Sequence, residues 1–182
     1  MRVIVRIRLT GVSPLVMRGP GGSAVEAGKG RIDDPWRGPD ESQWADALWL
    51  DRGRLCLPAA VLFDALADAA KLRKMAPAFR DGISLSASAP LRHDGPTSID
   101  ELWAEERFRM RSAVCVGRLR HEWRCLPRFE RWSAEATVTI DEGRLARPEL
   151  LKLFETAGSV FGIGAGRPRY GRFWAAETGE CA

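Results

Sequence analysis

The segment GIGAGRPRYGRF, residues 162 to 173, sets Gly162, Gly164 and Gly166 beside Arg167, Arg169, Tyr170 and Arg172. Closely spaced glycines let backbone amides approach a polyanion, and guanidinium is a planar fork that pairs with phosphate oxygens and stacks on bases. The chemistry indicated is the holding of a phosphate chain. The segment is not a dinucleotide fingerprint: its glycines alternate, position 167 is Arg, and it follows a helical pattern and precedes a strand, the reverse of the required order. Nor is it a P-loop, since no Gly-Lys-Ser/Thr closes it, and Lys29, the earlier candidate, is followed by Gly30. The rival explanation is a plain helix-to-strand connection whose glycines only satisfy positive φ. Three arginines and a tyrosine in one turn weigh against it.

Charge supports the same chemistry. The net charge is only +4, but lysine occurs only at 29, 71, 74 and 152, so the basic residues are almost all arginine. Between Arg107 and Arg131 there are eight arginines against two acids, Glu122 and Glu130. The acids gather at Asp33, Asp34, Asp40, Glu41, Asp46 and Asp51, then at Asp100, Glu101, Glu105 and Glu106. Arginine of this abundance also arises from GC-rich coding and then serves as solvated surface. Its segregation from the acids argues instead for a field directed at an anionic partner. The candidate contacts are Arg18, Lys29, Arg31, Arg111, Arg118, Arg120, Arg124, Arg167, Arg169 and Arg172, with Tyr170 stacking on or capping the groove. Trp103, Trp123, Trp132 and Phe108 lie within or beside the arginine-rich stretch and are either core or stacking platforms. Met17, next to Arg18, is a candidate for the edge that faces nucleic acid.

Other chemistries fit less well. Only two histidines occur, His93 and His121, and neither has a catalytic partner at recognisable spacing. Asp33 and Asp34 form an adjacent pair that suits metal-assisted cleavage, yet Asp-Asp-Pro is a common turn. Cys56, Cys115, Cys125 and Cys181 make no CxxC pair and have no histidine at ligand spacing, so neither a metal nor a cofactor is expected. Cys56 and Cys115 read as small core residues. No apolar run approaches the ~18 residues that span a bilayer. The opening MRVIVRIRLTG alternates charged and apolar residues where a signal peptide needs an unbroken apolar stretch, so a cytoplasmic protein without a membrane partner is expected.

At 182 residues the chain suits one domain with insertions. Residues 3 to 9 alternate as a half-buried strand, and Gly11 to Pro39 form a long Gly/Pro-rich loop. ALWL (47 to 50) and RLCL (54 to 57) predict a hairpin about a three-residue turn, Asp51-Arg52-Gly53. Pro58 opens a helix with Val61, Leu62, Ala65, Leu66, Ala69 and Leu72 on one face. Strands are predicted over 83 to 91, twice within 108 to 127 with Gly117 near their junction, over 133 to 140, and over 172 to 176. A short helix with a Ser98/Glu101 capping box covers 98 to 106, and a second amphipathic helix covers 148 to 161. Without insertions the order is βαββαβ, the ferredoxin-like plan shared with the RNA recognition motif, an α+β fold. The insertions fall at about 11 to 57 and 92 to 130.

Three features carry a resemblance to a known family: Ser13-Pro14-Leu15 after the first strand, a Pro58-led helix reaching Ala69-Ala70-Lys71, and the closing Gly-Ile-Gly-x-x-Arg-Pro-Arg-Tyr-Gly-Arg-Phe. Together they resemble the repeat-associated mysterious protein (RAMP) superfamily, and most nearly the single-domain backbone subunits of CRISPR effector complexes and their uncharacterised relatives in phages and prophages. The resemblance implies a ferredoxin-like palm with inserted segments and a groove for single-stranded RNA. It also implies homo-oligomers stacked head-to-tail along the strand, with other effector-complex subunits as further partners. The expected function is backbone-tracking binding of single-stranded nucleic acid, RNA before DNA, without catalysis. Because some members of that superfamily process guide RNA with a histidine, the resemblance also implies a runner-up, an endoribonuclease using His93 or His121; a phage structural or assembly protein that binds no nucleic acid is the third alternative.

Overall fold

The computed structural model describes residues 1–19, 38–116 and 120–181, and the side chains of 114–116, 120–121 and 180–181 fall outside that description. Lys29, Arg31, Asp33, Asp34 and Arg118 lie outside the described residues, as does Gly117; Arg120, His121 and Cys115 are described only as strand backbone.

The chain is mixed α and β with antiparallel sheets. The main sheet is centred on β1 (Arg2–Gly11), which pairs on one side with β10 (Phe173–Cys181) and on the other with β9 (Trp132–Asp141). Beyond β9 come β6 (Ala89–His93), β4 (Arg54–Leu57) and β3 (Leu50–Asp51), giving the order β10-β1-β9-β6-β4-β3. A short β5 (Ile83–Ser84) also pairs with β9. Period-two alternation decides the two faces of β1. Val5, Ile7 and Leu9 are wholly buried, while Arg6, Arg8 and Thr10 point the other way into solvent.

Two helices share the core with Val5, Ile7 and Leu9. In α2 (Ala59–Leu72), Leu62, Ala65, Leu66 and Ala69 are buried; in α5 (Arg147–Thr156), Leu150, Leu153 and Phe154 are. The apolar stripe at i, i+3, i+4 spacing, not propensity alone, holds them there. A turn of π-helix, Ala157–Phe161, extends α5 and leads into the Gly-rich loop.

A second sheet stands on this base: β2 (Leu15–Val16) pairs with β8 (Arg120–Phe129), which forms a long hairpin with β7 (Arg109–Val116). Phe108 and Phe129 root the hairpin in the main core, with ring centroids 5.6 Å apart. Three short helices complete the described elements: α1 (Glu41–Asp46) between β2 and β3, α3 (Ala76–Gly82) between α2 and β5, and α4 (Ile99–Ala104) between β6 and β7.

Several sequence expectations are corrected. The turn between β3 and β4 has two residues, because Asp51 pairs with Arg54; Arg52 and Gly53 both take positive φ, 49° and 76°, as a tight hairpin turn requires. Residues 47 to 49 are not strand, since the preceding α1, capped by the Asp40 carboxylate on the Gln43 N–H at 3.1 Å, ends there. Pro58 is the N-cap of α2 and not its first residue, and Leu72, at its last turn, is 58% exposed. The strand expected at 83 to 91 is broken into β5 and β6, both on β9. Ser98 does cap α4, but its hydroxyl makes no capping hydrogen bond, and the helix stops at Ala104. The final strand runs to Cys181, well past residue 176.

Candidate nucleic-acid interface

The Gly-rich loop folds back on the turn after β1. The Gly171 N–H donates to the Pro14 carbonyl at 2.8 Å, the Arg172 N–H to Ser13 Oγ at 3.0 Å, and the Ala165 N–H to the Val16 carbonyl at 2.8 Å. Ser-Pro-Leu and the closing glycine motif, far apart in sequence, are therefore one interlocked unit. The glycines serve that contact. Gly164 sits at φ +81°, and a Cβ there would lie 2.4 Å from the Val16 carbonyl oxygen; at Gly171 it would lie 1.8 Å from the Ile163 carbonyl oxygen. The close approach is to the chain's own backbone, and it lets the loop lie flat. Gly162, which ends the π turn, and Gly166 also take positive φ, with the space beside each filled by the carbonyl or the ring of Tyr170.

The hairpin meets the loop through a small apolar cluster of Val16, Ala47, Leu126 and Ala165, against which Met110 and Tyr170 pack. Residues opposite one another across a strand pair share a face. Met110 faces Leu126 and Ser112 faces Arg124, so Arg124 stands on the face turned to the loop. Arg128, opposite Val16 on β2, is on it too. Arg109 and Arg111 pair with Pro127 and Cys125 on the other face, where Arg109 lies 4.9 Å from the Trp103 ring and Arg111 lies 3.7 Å from the Trp123 ring.

Around the cluster the cations converge. Arg18 follows Val16 and Met17, and its backbone carbonyl accepts the Trp49 indole N–H at 2.6 Å. Burial, and then the nearby Arg167 guanidinium, hold Arg18 below its ordinary value. These two line a cleft of about 560 Å³ with Trp49, Val61, Asp64 and Gly164. Asp68 on α2 holds Arg167 at 3.7 Å, and Arg169 lies 5.6 Å from the half-buried Tyr170 ring. Arg124 pairs with Glu122 at 3.6 Å, and Arg128 with Glu130. The Nε atoms of Arg109, Arg124 and Arg128 are buried with no hydrogen-bond partner among the described residues. Arg172 is exposed at the loop's exit.

The structure thus places Arg18, Arg167, Arg169 and Tyr170 at the Gly-rich loop, puts Arg124 on the hairpin face turned to that loop, and leaves Arg111 on the other face. Met17 is wholly buried and so is not part of the exposed edge. Phe108 and Trp132 are core residues, at 1% and 4% exposure, and not platforms. The Trp132 indole N–H donates to the Ser13 carbonyl at 2.9 Å. His93 is also committed to structure: Nδ1 accepts the Gly95 N–H at 3.1 Å, and its ring lies 5.1 Å from Phe129. Cys56 and Cys125 are buried thiols whose ordinary values are pushed up by burial, away from thiolate chemistry.

Two features were missed from sequence, the partly buried Arg128 on the loop-facing side of β8 and the exposed Trp174 on β10. Alternation along a strand was the signal for each: in β10 the buried Phe173 and the exposed Trp174 are neighbours. Among the described residues no helix is long and apolar enough to cross a membrane. Compared with models of protein families and with curated proteins, the chain matches none.

Proposed function

We propose that this chain binds single-stranded nucleic acid, RNA before DNA, along its backbone and without cutting it. The observation that carries the reading is the apolar cluster that joins the Gly-rich loop, with Arg167 and Arg169 beside it and Arg18 next to Arg167, to the hairpin face that carries Arg124 and Arg128. A phosphate chain laid there would meet guanidiniums from both sides and an aromatic ring, Tyr170, between them. Glu130 is exposed and Asp68 and Glu122 are partly exposed, and ion pairs this near the surface are worth little, so phosphate can displace them.

The strand order supports the finer fold reading. β10-β1-β9-β6 with α2 and α5 on one face is the arrangement expected of a ferredoxin-like palm. The Ser13–Leu15 turn locked to the Gly-rich loop supports the RAMP-like reading, and with it head-to-tail assembly of copies on the strand, alone or with other effector-complex subunits.

The test is binding of a single-stranded RNA and the matching DNA by the wild type and by Arg167→Ala/Arg169→Ala across a salt series. Counterion release predicts a linear fall of log affinity with log salt, a shallower slope in the variant, little dependence on sequence, and intact RNA at the end. No binding by the wild type at low salt would sink the reading.

A further inference from the structure

The open face of the main sheet carries an aromatic ring with no ring or cation partner among the described residues. Trp174 is 74% exposed, although hiding a large apolar side chain contributes roughly 1.5–3 kcal/mol. Register places it at the end of a row across four strands: Trp174 opposite Thr10, Thr10 opposite Ser133, and Ser133 opposite Arg92. The row runs three inter-strand spacings, ~14 Å. Its middle is two small polar side chains, so the floor between the ring and the guanidinium is low. In the next row along, Ala176 faces Arg8 and Arg8 faces Glu135, with Arg8 3.4 Å from that carboxylate. Arg6, opposite Thr137, extends the same face. On this face Arg2, Arg6, Arg8 and Arg92 outnumber Glu135 and Asp141, a net positive charge that suits an anionic occupant.

We propose that this face is a stacking platform for single-stranded nucleic acid, with a base on the Trp174 ring and phosphates beside Arg92 and Arg8. It rests on the nucleic-acid reading above and adds a second surface to it. Arg172, the last arginine of the Gly-rich loop, lies two residues before Trp174, and both border a cleft between the edge strand β10 and the end of α5. Flat rings take any base, so contact here is sequence-tolerant, and Thr10 and Ser133 offer hydroxyls to bases or to ribose.

The experiment is titration of a fluorescein-labelled 12-mer of uridylate into the wild type, Trp174→Ala, Trp174→Phe and Arg92→Ala at low salt, with size-exclusion light scattering of each protein alone. Loss of one stacked base corresponds to about 5–150-fold weaker binding in Trp174→Ala, with near-wild-type affinity retained by Trp174→Phe and a shallower salt slope in Arg92→Ala. Because Trp174 is exposed, the thermal midpoint of each variant stays at that of the wild type. Wild-type affinity in Trp174→Ala overturns the proposal. So does a change of oligomeric state without nucleic acid and with unchanged affinity, which would make the face a protein contact. If the wild type binds and only Arg167→Ala/Arg169→Ala weakens it, the sheet platform falls and the loop-and-hairpin reading stands; if the wild type binds nothing, both fall.

Discussion

Arg111 and Arg124 belong to one arginine-rich stretch but stand on opposite faces of the β7–β8 hairpin, Arg111 across from Cys125 and Arg124 across from Ser112. The side chains of a strand alternate, so the charge of the stretch is divided between two surfaces. Arg124→Ala should weaken RNA binding uniformly across sequences and lower the salt slope by about 1, as for one lost phosphate contact. Arg111→Ala should leave binding unchanged and cost about 0.5–1 kcal/mol of stability through its lost contact with the Trp123 ring. Paired binding and thermal-melt measurements on the two variants separate the roles.

Gly164→Ala tests the interlock of the loop with β2. Its φ of +81° disfavours any L side chain, and the new methyl would strike the Val16 carbonyl oxygen. The expected loss is about 1–3 kcal/mol, from backbone strain and the displaced Ala165–Val16 hydrogen bond. A wild-type melting midpoint for this variant would show that the loop does not need its observed seat.

Phe129→Ala removes the ring that joins the hairpin to the core beside Phe108 and His93. Its position is wholly buried, so the cost should be about 3–5 kcal/mol and the midpoint should drop by roughly 10 °C in a chain of this size. Denaturant unfolding with the slope checked against wild type measures it.

His93 supplies a pH dependence of known sign. Burial holds its imidazole below the ordinary value; Asp94 opposes this and Arg107 adds to it. The neutral ring, accepting the Gly95 N–H at Nδ1, is the folded form. As pH falls, the unfolded chain takes up the proton first, near ~6.5, so this contribution is complete above that value and is lost on the way down through the lower folded value. His93→Gln, which keeps an acceptor, should show a smaller fall in melting midpoint than the wild type from about pH 7.5 to about pH 5, on either side of the ordinary histidine value of ~6.5. Equal falls in both proteins would assign the dependence to other groups.

The sequence by itself determined the elements whose signal is local. The alternation of Val5, Ile7 and Leu9 made β1, the apolar stripe from Leu62 to Ala69 made α2, and the density of glycine and arginine marked 162 to 173. Those patterns depend on the period of a strand or helix, which each segment carries alone. What tertiary structure decided was partnership. It brought Ser13 and Pro14 to Arg172 and Gly171, divided the arginines of the hairpin between two faces, and turned Trp132 and Phe108 inward while Trp174 stayed outside. Which of two adjacent residues is buried follows from what lies against the strand, and no segment encodes that about itself. The same reason explains the breaks at β5 and β6 and the two-residue turn at Arg52-Gly53, where pairing to β9 and to β4 overrode the local reading.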